Sequence, residues 1–177
     1  MSDTSVKQSL SEFYQLNNFE ADGGVSNLVS WAKVGPFTFP ILNLKSRKKA
    51  LIFHDLHHLI TGYQTNMRGE AEISAWEIAS GGWGRLWYIW GIVLSGFAFG
   101  VAFYPKTTKK AFEVGNGCRN AYASGIKIND LLNLELNELR DLTQTKNHSH
   151  RSYSFWAILS VALITIPPTV IILLVFS

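Results

Sequence analysis

The sequence predicts an all-α fold: a helical bundle with a metal-binding helical hairpin and apolar, membrane-associated helices. Three observations carry this. Ala50, Leu51, Phe53, Leu56, Leu59 and Ile60 recur at three- and four-residue spacing, the period of a helix. The windows Leu86 to Tyr104 and Phe155 to Ser177 hold nineteen and twenty-three residues without a charge, and a spanning helix needs roughly 20 apolar residues. No run alternates convincingly with the period of a strand.

Taken in order, residues 5 to 19 read as a short amphipathic helix with Leu10, Phe13, Tyr14 and Leu16 on its apolar side, broken by Ala21-Asp-Gly-Gly-Val. Val34 to Leu44 contains Pro36 and Pro40 and is expected to run extended. A helix then starts at Arg47 and stops at Gly62. After a turn from Thr65-Asn66 to Gly69, the next helix is expected to begin near Glu70, carry Ile73, Trp76 and Ile78, and end at Ser80-Gly81-Gly82. Leu86 to Tyr104 is the first apolar helix, stopped by Pro105. Lys109 to Tyr122 follows, interrupted by Gly115 and Gly117. Asn129 to Gln144 repeats leucine among polar residues, an amphipathic helix with Asn129 or Asp130 as N-cap.

The expected organisation is a helical domain over 1–146, in which 86–104 is membrane-embedded or lipid-facing. A polar linker over 147–154 and a transmembrane tail over 155–177, with Pro167-Pro168 at its middle, complete the chain. Charged residues make up 16% of the chain, against about 25% in a soluble domain. The net charge of +3 comes without a recognisable motif, which argues against nucleic acid as a partner. Basic clusters at 45–49 and 106–110 lie near apolar segments, as contacts to anionic headgroups would, though solvated surface explains them equally well. Lysine and arginine number eight before residue 86 and eight after residue 104, so they choose no side of a membrane. The first residues lack the apolar core of a signal peptide. The single cysteine, Cys118, excludes an internal disulfide and a thiolate metal site. These features lead us to expect a membrane protein with its soluble part on the cytoplasmic face.

The chemistry concentrates between residues 54 and 70, where three of the five histidines lie beside an aspartate, with Glu70 beyond them. Histidine and carboxylates are ligands for divalent metals. On a helix His54 and His58 lie one turn apart on one face, His57 about 60° to one side and Asp55 about 100° to the other. The turn from Thr61 to Gly69 is long enough to fold the next helix back, so that Glu70 closes the site. Glu77 lies two turns beyond Glu70 on nearly the same face and is placed to support a histidine from behind. His57 reads equally as a core residue and as a further ligand. His148 and His150 fall in the polar linker and are left out of the site.

The pattern His54-Asp55-x-x-His58, then eleven residues, then Glu70 resembles the zinc-ligand motif of the coenzyme Q biosynthesis protein 4 family. Its neighbours agree: Leu59-Ile-Thr-Gly62, Gly69-Glu70 and Trp76-Glu77. Gly115-Asn-Gly-Cys-Arg119-Asn-Ala121 and the leucine-rich stretch from Leu134 to Leu142 are similar to later parts of the family pattern. The resemblance covers roughly residues 10 to 144, strong at the motif and weak elsewhere. It implies an all-helical protein at the membrane face, with His54, Asp55, His58 and Glu70 as ligands to zinc, iron or another divalent metal. It also implies Arg119 as a lipid or headgroup contact. The implied ligand is a polyprenyl lipid or ubiquinone intermediate, and other ubiquinone-biosynthesis proteins are implied as partners. The implied roles are two: a metal-dependent decarboxylase or hydroxylase of a prenylated ring that carries a carboxylate, or a non-catalytic lipid-binding scaffold with a structural metal. The unusually apolar 86–104 segment, the added tail and a basic segment thinned by Asn116, Cys118 and Asn120 mark departures from the family pattern. With them the chain resembles a divergent, membrane-anchored, bacterial-type member. His54-x-x-His57-His58 also matches a box of membrane di-iron desaturases, but those need roughly eight histidines and this chain has five.

Overall fold

A computed structural model describes residues 4–21, 23, 29–34, 37–42, 45–144 and 150–176, with backbone alone for 30–34, 37–42, 45–47 and 167–176. The fold is a bundle of helices with one strand hairpin. In order these are α1 (Val6–Leu16), β1 (Val29–Val34), β2 (Phe37–Leu42), α2 (Lys45–Thr61), α3 (Met67–Ala79), α4 (Trp87–Phe103), α5 (Pro105–Asn116), α6 (Ile128–Leu132), α7 (Leu136–Thr143) and α8 (Tyr153–Phe176).

α3 is the central helix, and its composition explains why. Every residue from Gly69 to Ala79 except Glu70 is buried, as expected of a helix enclosed on all sides. Its small residues admit two neighbours at close range. A Cβ at Gly96 or Gly100 of α4 would meet Ser74 and Ala71 respectively. One at Gly115 of α5 would lie 2.7 Å from the Trp76 carbonyl oxygen and 2.8 Å from the Ala79 Cβ. α8 closes the far side: Trp90 stacks on Trp156 with centroids 5.3 Å apart, and Tyr153 meets Phe97 and Phe112 edge-on. Arg151, just before α8, donates to the carbonyls of Ile78 at 2.6 Å and Gly81 at 3.2 Å, satisfying acceptors left open at the end of α3.

Several expectations need correction. Of the segment expected to run extended over Val34 to Leu44, Phe37–Leu42 forms β2 and pairs antiparallel with β1, Val29↔Leu42 to Val34↔Phe37, while Pro36 lies outside the described residues; the helical bundle therefore carries a strand pair as well. Pro40 sits opposite Trp31, and a proline is tolerated in an edge strand because it lacks only a donor. The leucine-rich helix expected over 129–144 is two helices. The chain near its N-terminus pairs with the break between them: Val6 N–H donates to Leu134 O at 2.8 Å, and Leu136 N–H donates to Thr4 O at 3.1 Å. Glu135 then starts α7 with a capping box completed by Glu138. α3 begins at Met67 rather than near Glu70, because Asn66 accepts the Gly69 N–H at 2.9 Å and caps it. Pro105 does not merely stop α4; it occupies the first turn of α5, where its missing N–H costs nothing. Leu16, expected on the buried side of α1, is 83% exposed.

Among the described residues no helix is long and apolar enough to cross a membrane. α4 has 17 residues and rises about 25 Å, short of a hydrocarbon core of about 30 Å. One face packs on the bundle through Ile89, Val93 and Phe97 while Trp87 and Phe103 are exposed. The expected span over 155–177 lies partly outside the described residues; in the described part, Phe155, Ile158, Leu163 and Ile166 are exposed.

The close α3–α5 approach yields a prediction. Gly115→Ala should destabilise the chain by about 1–3 kcal/mol through overpacking, because two of the atoms it meets belong to the Trp76 backbone. Thermal unfolding should show a midpoint lower by several degrees, and an unchanged midpoint would mean the helices can separate freely.

Candidate metal centre

The site is a helical hairpin. α2 carries His54, Asp55, His57 and His58 on its last turns. Gly62, with φ of 74°, ends it and donates its N–H to His58 O at 2.8 Å, the left-handed position glycine takes at little cost. The turn back is tight. A Cβ on Gly69 would run into the Gln64 carbonyl, so only glycine lets the first turn of α3 sit this close. The next residue is Glu70, which thereby faces the histidine side of α2.

One ligand atom from each of His54, His58 and Glu70 lies within 4.8 Å of the others. The separations are informative. His54 Nε2 and His58 Nε2 are 3.3 Å apart, His54 Nε2 lies 3.4 Å from Glu70 Oε2, and His58 Nε2 lies 3.4 Å from Glu70 Oε1. Ligand atoms 2.0–2.1 Å from a tetrahedral zinc ion are themselves about 3.3 Å apart. The three could therefore hold a metal ion.

The opposite ring nitrogens fix which atoms face the centre. His58 Nδ1 donates to the Tyr63 carbonyl at 2.8 Å, and His54 Nδ1 donates to Glu77 Oε1 at 2.9 Å. Both acceptors lack protons, so each Nδ1 holds the hydrogen in the neutral ring and each Nε2 offers a lone pair. Phe13 of α1 stacks on the His58 ring at 5.8 Å between centroids. The His58 side chain keeps 1% of its exposure, whereas His54 keeps 25% and Glu70 39%. The centre therefore opens to solvent on the His54–Glu70 side.

Behind it lies a fully buried carboxylate. Glu77 Oε1 accepts from His54 Nδ1 and from His57 Nδ1 at 2.7 Å, and Oε2 accepts from Trp83 Nε1 at 3.0 Å. Burial alone would raise its carboxyl; the charge on His54 and the hydrogen bonds from His54 and His57 outweigh this and bring it down to about 2. Burial lowers His54 too, but Glu77 and Glu70 together hold it well above the ordinary histidine value. Burial would likewise raise Glu70, yet hydrogen bonds from His54 and His58 hold it well below the carboxylate range.

The remaining expected residues take other places. Asp55 lies outside the group of three, buried, with Oδ2 accepting from the Tyr14 hydroxyl at 2.9 Å. Burial raises its carboxyl to about 6, against the opposing pull of His54 and the Tyr14 bond. His57 is fully buried between Trp76 and Trp83 and meets Glu77 rather than the centre; burial lowers its pKa, and its Nε2 has no partner among the described residues. Arg119 is exposed and donates through Nε to Ala123 O at 3.0 Å. His148 lies outside the described residues, and His150 is exposed. Tyr14, expected only as part of the apolar side of α1, and Trp83 and Tyr63, which no motif marks, reach the site from separate elements or through a backbone carbonyl. Asn120 is a further buried support, donating to the carbonyls of Glu77 and Gly82 at 3.3 and 3.2 Å.

No family model, curated protein or solved structure matches the chain.

Glu77→Gln tests the support. A glutamine offers one acceptor oxygen to three donors, so at least one buried donor loses its partner, at about 1–3 kcal/mol. Zinc affinity, measured by competition with a chelator, should fall 10–100-fold while His54, His58 and Glu70 stay intact. Unchanged affinity would show that Glu77 does not orient His54.

Proposed function

We propose that the chain is a membrane-associated metal protein of ubiquinone biosynthesis that acts on a polyprenylated aromatic ring carrying a carboxylate. The observation that carries the metal half of this reading is the triangle of His54, His58 and Glu70, with separations of 3.3 and 3.4 Å. Two histidines and one carboxylate suit catalytic zinc, which keeps an open position, and equally non-haem iron. A structural zinc site normally has four protein ligands, and here Asp55 is engaged by Tyr14. That favours an ion with a vertex for substrate over a purely structural one. Held by these three residues, the ion would supply Lewis-acid polarisation of a ring carboxylate or hydroxyl.

The pathway half rests on the resemblance of the motif and its neighbours, and the membrane half on the exposed apolar residues of α4 and α8. Lys106, Lys109 and Lys110 follow α4 directly and suit an anionic headgroup layer. The soluble part would face the cytoplasm, with other biosynthetic proteins as partners.

The test is made on the full chain purified in detergent. About one divalent ion per chain is expected, identified by elemental analysis, together with an extractable prenyl lipid. His58→Ala should lose the ion and the ability to remove the carboxylate from a prenylated 4-hydroxybenzoate. Metal content unaltered by His58→Ala would overturn the site. A loaded chain that binds the lipid without turnover would favour the scaffold reading, and a saturated acyl lipid would move the protein to another pathway.

A further inference from the structure

A second concavity adjoins the metal centre and has a chemistry of its own. It is an open cleft of about 530 Å³ between α1, the turn after α2 and α7, a volume within the range of small-molecule sites. Phe13, Leu59, Tyr63 and Leu136 give it apolar and aromatic walls, and His58 is shared with the centre. Among the described residues that line it there is no carboxylate, and Arg140 is its one permanent charge. Arg140 is half-buried, and one of its five N–H groups donates to Leu59 O at 3.1 Å. No acid pairs with it among the described residues. A guanidinium anchored by one donor, with others left over beside aromatic walls, matches the planar two-oxygen geometry of a carboxylate.

We propose that this cleft binds an aryl carboxylate, with Arg140 pairing to the carboxylate and the ring lying against Phe13 and Tyr63. The proposal deepens the reading above by naming the anchor of its acid ligand, and rests on that reading for the aromatic ring. It transfers the role of anion contact from Arg119, whose guanidinium is exposed outside the cleft, to Arg140.

The probe is 3-fluoro-4-hydroxybenzoate, followed by fluorine NMR on the full chain in detergent, metal-free and zinc-loaded, with 3-fluoro-4-hydroxybenzyl alcohol as the uncharged comparator. Arg140→Gln removes the charge and the guanidinium fork, and Arg140→Lys keeps a charged donor within reach of Leu59 O. Arg140→Gln should weaken the benzoate at least tenfold in the metal-free chain and leave the weak binding of the alcohol unchanged. Arg140→Lys should fall between. Gln64→Glu offers a second route that leaves Arg140 untouched. It adds a negative charge to the exposed rim with almost no change of shape, and should weaken the benzoate severalfold.

Equal benzoate affinity in Arg140→Gln and the parent would overturn the proposal, as would no binding to the parent in the millimolar range. Binding seen only with zinc and indifferent to Arg140 would place the carboxylate on the ion, sinking the cleft and sparing the metal reading. Arg140-dependent binding in a chain that takes up no metal would do the reverse.

Discussion

Glu77 ties the structure together because it is a charge with no water. A carboxylate buried to this degree forfeits several kcal/mol of hydration. Three donors offset the loss, and charge-assisted bonds contribute about 1.5–3 kcal/mol each. Those donors come from two different places: His54 and His57 from α2, and Trp83 from the segment after α3. Satisfying one carboxylate therefore fixes the position of α2 on α3 and the path of the chain leaving α3. The Glu77 backbone carbonyl repeats the pattern, accepting from Gly82 N–H at 2.8 Å and from Asn120. Any packing of α2 that lost these bonds would strand a buried charge, so the register of the hairpin is specified by polar chemistry more sharply than by its apolar contacts.

The same carboxylate links stability to the geometry of the candidate metal site. By accepting from His54 Nδ1 it fixes the tautomer that turns the Nε2 lone pair outward, while the Tyr63 carbonyl does the same for His58. Two lone pairs held 3.3 Å apart beside a carboxylate repel one another unless a cation shares them. A proton can serve: burial lowers the His54 pKa, yet the carboxylates of Glu77 and Glu70 hold it well above the ordinary value. A divalent ion would serve it more completely, because it could engage both nitrogens and Glu70 at once. The fold thus builds an electrostatic deficit at the surface of the hairpin from a carboxylate kept in its core.

How much of this was legible in the sequence depends on how far apart the partners lie. His54 and His58 are one helical turn apart, and Glu70 follows across a short turn, so local geometry brings them together whatever the rest of the chain does. Asp55 belongs to the same local pattern, yet its oxygen is engaged by Tyr14, 41 residues away in sequence, and no periodicity reveals such a pairing. The leucine repeat of 129–144 is a sound helical signal that long-range pairing with Thr4 and Val6 interrupts. Pro36 and Pro40 mark extended chain without identifying a partner strand, so the sequence does not reveal the pairing of β1 with β2. Apolar composition does not say which face is used: in the charge-free 86–104 window, Ile89, Val93 and Phe97 pack on the bundle while Trp87, Ile92 and Phe103 stay exposed.

α1 shows why the motif alone is not the site. The hairpin of α2 and α3 supplies every atom of the candidate metal triangle, but one side of it would stand open to water. α1 places Phe13 against the His58 ring and Tyr14 on Asp55, so two adjacent residues cover a histidine and engage a neighbouring acid. Their position is set at the other end of α1, where Ser5 and Val6 join the segment between α6 and α7. That segment leads into α7, which carries Arg140, and Arg140 reaches back to Leu59 on α2. The chain therefore closes a loop of contacts from α2 through α1 and α7 back to α2. A change at the residue 134–136 junction, distant in sequence from the histidines, would be felt at His58 by displacing the ring that covers it.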